Sequence, residues 1–510
     1  MSTTRYIQLF TEPPKRESDW RNIEKDIQDA LKKNVPRVQQ CMGVSQGGRE
    51  SVYVGDTGVA FMDITLASLQ GELPLESTTE QNPLSPSLLI SLADRHFTSV
   101  LHDGAFNPRN IRDGAHISFL DTPVGTACLI LSRYPFGRQQ SFAQTHWKRC
   151  RDYLLKAVET IERDDAEFGE DDDGCEMLYG RAGFLYALLY LRNVHERMEK
   201  QSGGGGDHVL NQDLESCKGL LSDATMDIVA HSIIRRGRNG AKTYQFEFGG
   251  ARSPSLMWAW HGKRYLGGAH GIAGILQMLL RCPFPLVSGY MPEIVQTIDW
   301  LVTCQDRAGN WPTRAPGLNE TTSGGHELVQ WCHGAPAMLI LLSTILRMAV
   351  TPGIATKLTE RQQDRFVVSL QRGCAVVYMR GLLRKGVGLC HGIAGSVYAL
   401  LAASDVLDSP CTVTNTTPPS SGTSTPASPS DHHAPYFTQA AHLAHLATYS
   451  TSLTKNGDMK TPDHPWSLYE GMAGMCCAWG EILYRMKNIA GSKCYLCSGM
   501  PGYDDFVLAN

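Results

Sequence analysis

One phrase recurs along this chain: a glycine, two residues, a second glycine, then an apolar run of helical length. It stands at Gly55-Asp56-Thr57-Gly58 before Val59 to Leu69, and at Gly180-Arg181-Ala182-Gly183 before Phe184 to Leu191. It returns at Gly271-Ile272-Ala273-Gly274, at Gly392-Ile393-Ala394-Gly395 and at Gly471-Met472-Ala473-Gly474, each ahead of a similar run. Thr122-Pro123-Val124-Gly125 keeps only the second glycine, and Gly334-Ala335-Pro336-Ala337 only the first. These seven copies lie roughly 60 to 90 residues apart, room for a helical hairpin and its connection. A glycine lets the chain turn sharply into a helix and lets neighbouring helices approach closely. Two of them three residues apart share one face of the first turn. Sustained period-two alternation is sparse. The pattern therefore predicts an all-α fold in which seven hairpins close into a ring, leaving no hydrophobic end to cap.

A chain of 510 residues suggests about three domains on length alone, and the repeat replaces these with one. Apolar residues make up 42% and charged residues 19%, a globular composition that excludes a disordered scaffold. With 47 Lys and Arg against 51 Asp and Glu, nothing basic points to nucleic acid or an anionic membrane. The fifteen cysteines, scattered from Cys41 to Cys497, read as mostly reduced thiols rather than a disulfide framework. Met1 to Pro14 lacks the pattern of a signal peptide, and Ser2 stands where N-myristoylation needs glycine. The longest apolar stretch, Ala337 to Leu346, is too short to span a bilayer. A cytoplasmic protein without a transmembrane segment is expected, and peripheral membrane association is compatible with that. We expect an N-terminal helical extension over 1–45, the ring over 46–503 and a tail over 504–510. Loop insertions are expected at about 162–173 (acidic), 201–206 (Gly-rich) and 411–435 (Ser, Thr and Pro).

Four of the turns carry polar groups: Gly268-Ala269-His270-Gly271, Trp331-Cys332-His333-Gly334, Leu389-Cys390-His391-Gly392 and Tyr469-Glu470-Gly471. In a ring of repeats, equivalent turns lie at one end, so residues as distant as Cys332 and Cys390 converge. Thiols and imidazoles brought together are zinc-ligand material. A buried thiol beside a hydrogen-bonded imidazole is the competing reading. Cys494 and Cys497 form a CxxC without a nearby partner pair, read as a surface thiol pair.

With these phrases in hand, the sequence resembles the eukaryotic branch of the lanthionine synthetase C-like family. The matching stretches are Ser51-Val52-Tyr53, Leu178-Tyr179-Gly180-Arg181-Ala182-Gly183, Gly268-Ala269-His270-Gly271, Trp331-Cys332-His333-Gly334-Ala335-Pro336, Gly388-Leu389-Cys390-His391-Gly392 and Ser467-Leu468-Tyr469-Glu470-Gly471. Pro501-Gly502-Tyr503 also resembles the family's terminus. The resemblance implies an α/α toroid, a double barrel of seven inner and seven outer helices. It implies one catalytic-type zinc ion held by Cys332, Cys390 and His391, with His333 outside the ligand set. The thiol of glutathione would add to dehydroalanine or dehydrobutyrine residues of proteins or peptides, giving a thioether. His270 would then be the general acid. Lys385 and the segment Lys460-Thr461-Pro462-Asp463 would contact glutathione. Lys460 replaces the family's arginine, a point charge in place of a bidentate fork. The alternative is a glutathione- and zinc-binding signalling adaptor without turnover. A glycosidase, which α/α toroids also host, would need opposed carboxylates such as Glu470 and Asp463 and would leave the Cys-His pairs unexplained.

Overall fold

The computed structural model describes residues 4–41, 51–70, 82–101, 104–133, 144–167, 171–201, 217–248, 253–316, 327–351, 358–408, 435–488 and 499–506. Among these residues there is no strand, only isolated bridges such as Tyr6 with Leu383. The long helices alternate in character along the chain. The odd-numbered ones are α1 (Glu17–Gln40), α3 (Pro86–Val100), α5 (Gln144–Glu167), α7 (Asp223–Phe248), α9 (Met291–Thr303), α11 (Glu360–Arg380) and α13 (Pro435–Ala447). The even-numbered ones are α2 (Asp56–Gln70), α4 (Pro123–Arg133), α6 (Arg181–Gln201), α8 (Ile272–Arg281), α10 (Ala335–Val350), α12 (Ile393–Leu407) and α14 (Met472–Asn488). Every copy of the repeated phrase opens an even helix.

Side-chain chemistry sorts the two sets. In α1 the buried residues Trp20, Ile23, Ile27, Leu31, Val35 and Val38 form one stripe, the spacing of a helix with one face in water. In α4 every residue after Pro123, and in α8 every residue, is buried, as an inner wall requires. Successive even helices touch around a circle, and each odd helix packs outside, α3 on α2, α11 on α10 and α13 on α12. Thr57 and Thr126 join α2 to α4 by a 3.1 Å hydrogen bond. The result is the expected α/α toroid.

The turns entering the even helices close a second circle, made of backbone hydrogen bonds. Tyr53 N donates to Leu120 O (2.8 Å), Ile117 N to Tyr179 O (2.8 Å) and Leu178 N to Ala269 O (3.1 Å). Gly268 N donates to Trp331 O (3.0 Å), Cys332 N to Cys390 O (3.3 Å), Cys390 N to Tyr469 O (2.8 Å) and Tyr469 N back to Tyr53 O (3.0 Å). Seven turns therefore satisfy one another's buried polar groups. The second glycine of the phrase makes the close approach possible. A Cβ at Gly274 would lie 2.0 Å from Gly268 O, and one at Gly395 2.2 Å from Leu389 O. In the copy that carries Ala337 instead, Gly334 takes φ +105° and itself lies against Leu328 O. The departure at Ala337 is thus absorbed by a left-handed residue that only glycine adopts readily.

Three sequence expectations are revised. The helix placed in an extension over 1–45 packs on α14 and α13, so α1 is the outer partner of the last inner helix. Within the acidic stretch 162–173, residues up to Glu167 are helical; Glu162, Glu167 and Asp171 are exposed, and three other carboxylates pair with arginines. Asp164 is buried and faces Arg181 (3.7 Å), Asp165 meets Arg235 and Arg236 (3.2 Å each), and Asp172 meets Arg264 (2.6 Å). The start of the tail, Asp504 to Phe506, lies inside the ring, with Asp504 and Phe506 buried. Of the other insertions, 202–206 and 411–434 lie outside the described residues, as do Cys494 and Cys497.

Candidate metal centre

Adjacent turns of the backbone circle bring two thiols and an imidazole together. Cys332 comes from the turn before α10; Cys390 and His391 come from the turn before α12. The bond from Cys332 N to Cys390 O fixes the two turns side by side. One ligand atom from each of Cys332, Cys390 and His391 lies within 4.8 Å of the others, the sole such cluster among the described residues. Tetrahedral zinc with bonds of roughly 2.0–2.3 Å spans donor separations of this order, so the donor set fits that ion. Cys390 and His391 are buried, and Cys332 is half-buried.

Without a cation, burial pushes the Cys390 thiol far up, with the Cys332 sulfur adding to the effect and His391 opposing it. A divalent cation reverses that balance by stabilising both thiolates. The Tyr53 side chain lies near both cysteines, and its burial, with the Cys390 and Cys332 sulfurs adding, drives its pKa well up. Its ring stacks on that of Tyr469 at 5.0 Å. Gln330 Oε1 accepts from Cys332 Sγ at 3.5 Å.

His270, in the turn before α8, is held by a buried carboxylate. Its Nδ1 lies 2.9 Å from Glu176 Oε2. Glu176 also accepts from the backbone N–H of Leu178 (2.8 Å) and Tyr179 (2.6 Å). Burial raises the carboxyl of Glu176, and the hydrogen bond from His270 pulls the other way. The imidazole lies parallel to the Trp260 ring, 5.6 Å away and tilted by 2°, with Tyr179 at 5.8 Å. With Nδ1 committed to Glu176, Nε2 is the nitrogen left to exchange a proton.

His333 stands apart from the three-residue cluster. Burial first, then the nearby His270, Lys385 and Arg314, depress it to about 4, so it is neutral at pH 7. Lys385 follows Leu382–Arg384, which pairs with the N-terminal residues: Ile7 N donates to Leu382 O (2.7 Å) and Arg384 N to Arg5 O (3.1 Å). On its other side Lys460 N donates to Arg384 O (2.7 Å). Lys385, Lys460, Thr461 and Asp463 are exposed and Pro462 is half-buried, so the five lie along neighbouring segments with their polar ends in water. Glu176 and the N-terminal segment Arg5–Ile7 were not singled out from the sequence, and Tyr53 was quoted without a role. Tyr53 ends the Ser51-Val52-Tyr53 stretch and Glu176 lies just before the one that begins at Leu178, but no spacing rule pairs Glu176 with a histidine 94 residues away.

The family model described as "Lanthionine synthetase C-like protein" matches residues 110–417. The LanC-like protein GCL1 of Arabidopsis thaliana is 26% identical over 364 residues, which are 69% of this chain and 64% of that protein. Glutathione S-transferase LANCL1 of Danio rerio is 27% identical over 311 residues, 60% of this chain and 59% of that protein. The match therefore spans less than two thirds of the length of either relative. Among solved structures, nisin cyclase aligns with a TM-score of 0.49 at 12% identity, covering 92% of this chain and 99% of that one.

Proposed function

The chain belongs to the lanthionine synthetase C-like family, and on that premise we propose that it adds the thiol of glutathione to dehydroalanine or dehydrobutyrine residues of proteins or peptides, using zinc. The observation that carries this reading is the convergence of Cys332, Cys390 and His391. Three protein ligands leave a tetrahedral ion one open position, the mark of a catalytic site. When bound, zinc supplies a place for the incoming thiol and lowers its pKa to give a nucleophile at neutral pH.

The chain's own residues do the rest. Cys332 and Cys390, as thiolates, supply two negative charges to the ion. In the reaction a C–S bond forms at the β-carbon, the C=C π pair moves onto the carbonyl side, and one proton ends on the α-carbon. The thiol proton and the delivered proton balance, so no oxidant or reductant is needed. His270 delivers the proton from Nε2 while Glu176 holds the ring. Lys385 and Lys460 offer charge to the two carboxylates of glutathione and Asp463 to its ammonium, with Thr461 and Pro462 shaping the same segment.

The test is direct. The zinc-loaded protein, incubated with glutathione and a dehydroalanine peptide, should give a thioether adduct by mass spectrometry well above the uncatalysed rate. No excess adduct would remove the catalytic reading. Zinc and glutathione binding without adduct would instead identify a signalling adaptor that keeps the site.

A further inference from the structure

We propose that the C-terminal segment from Gly499 to Phe506 is a positioning element for the metal centre, bracing the turns that carry Cys332 and Cys390 from inside the ring. This rests on reading the Cys332–Cys390–His391 cluster as a metal site, which itself does not involve the segment.

The segment reaches the ligands by two routes. On the first, Pro501 O accepts a hydrogen bond from Tyr469 Oη (2.9 Å). The backbone of the same tyrosine accepts from Cys390 N (2.8 Å) and donates to Tyr53 O (3.0 Å). On the second route, the ring of Tyr503 meets Trp331 edge to face at 5.2 Å. Trp331 is the residue before Cys332, and it also meets Tyr469 at 5.4 Å. Tyr469 and Tyr503 are wholly buried and Trp331 nearly so. A hinge or slip in either turn must therefore displace a packed ring, and packed interiors resist that.

Deeper in the ring the segment is anchored by charge. Asp504 accepts from Gln277 Nε2 (2.8 Å) and from Arg281, both on α8, and faces Arg347 of α10 at 3.9 Å. Asp505 accepts from Tyr186 Oη of α6 at 2.6 Å and from Gly502 N at 3.2 Å. The Arg281 guanidinium sits over the Phe506 ring at 5.4 Å. Buried carboxylates held by opposite charge cannot shift without leaving a charge unpaired. The segment is thus fixed to three inner helices at its far end, and at its near end to the Cys332 turn through Trp331 and to the Cys390 turn through Tyr469. Contacts that orient metal ligands commonly change affinity by about 10- to 100-fold when removed.

The experiment compares cobalt and zinc affinity, by chelator competition, in the full chain and three variants. Tyr503→Ala should weaken binding about tenfold or more and alter the cobalt–thiolate absorption. Tyr503→Phe, which keeps the ring edge on Trp331, should bind as the wild type does. Trp147→Leu, in the outer helix α5, should lower the melting temperature and leave affinity unchanged. Equal affinity in Tyr503→Ala and wild type overturns the proposal, as does an equal loss in Trp147→Leu. If Tyr503→Ala does not fold, Tyr503→Leu fills the volume without the ring edge and carries the same expectations. A wild type that binds neither ion would defeat the metal reading instead. The positioning role is then read from iodoacetamide alkylation of Cys390, which should be faster in Tyr503→Ala than in Tyr503→Phe; equal rates overturn it.

Discussion

His270 has its orientation set by one residue. Glu176 is buried with two backbone N–H donors and one imidazole on its oxygens, so it fixes which nitrogen faces the substrate. Replacing it by glutamine turns an N–H toward Nδ1 and reverses the tautomer. Glu176→Gln should lower kcat for adduct formation by about 10²-fold with the KM for glutathione unchanged, measured by steady-state kinetics. Asp63 of α2 makes a different prediction. Its Oδ1 accepts from Gln39 at 2.9 Å and its Oδ2 has no partner among the described residues. Burial raises its pKa from 3.8 to about 7. Between those values the folded protein holds a proton that the unfolded chain releases. Stability therefore falls as pH rises through that window, by up to about 1.4 kcal/mol per pH unit. Asp63→Asn removes the titration and keeps the acceptor for Gln39. Denaturant melts should find the variant more stable than wild type at pH 8, with the gap closing toward pH 4; parallel profiles would exclude the effect. Repeat phase placed Cys332, His333, Cys390 and His391 at one end of the ring, and the family resemblance singled out Cys332, Cys390 and His391 among them, the three whose donor atoms converge. Tyr53 and Glu176 carried no such signal, since their partners come from other repeats.

At the level of the elements, the helix entry is the unit that repeats. The phrase places one glycine at the turn and one on the first helical turn, where a carbonyl from the preceding loop occupies the space of a Cβ. Gly274→Ala would place a methyl 2.0 Å from Gly268 O, the carbonyl of a residue whose N–H is tied into the circle of hydrogen bonds. It should destabilise the protein by about 2–4 kcal/mol, measured by denaturant titration; a change under about 0.5 kcal/mol would show that the contact relaxes. Ala337 is the natural exception, and Gly334 at φ +105° shows its compensation. The inner helices were legible from their GxxG entries and unbroken apolar runs. The pairing of α1 with α14 was not, because hydrophobic periodicity reveals an apolar stripe but not which helix covers it. The acidic stretch around Asp164 and Asp165 misled for a related reason: charge in sequence reads as solvated until its arginine partners on α6 and α7 are known.

Over the whole molecule, fourteen long helices among the described residues form two layers, and a circle of seven backbone bonds holds their entries at one end. No described helix is long and apolar enough to cross a membrane. The ring gives the candidate site its character: neighbouring turns supply ligands, and the remaining turns supply the histidine and the lysine-bearing segments around it. The interior occupied by Tyr503, Asp504 and Asp505 was not legible from the sequence, since a terminal stretch carries no periodicity to assign it. The central claim is that Cys332, Cys390 and His391 hold one zinc ion. Elemental analysis of purified wild type and Cys390→Ala, with circular dichroism to confirm that both fold, tests it most directly. One zinc per wild-type chain and loss of zinc from the variant are the expected results. A folded wild type that binds no zinc, or a variant that keeps it, would contradict the account.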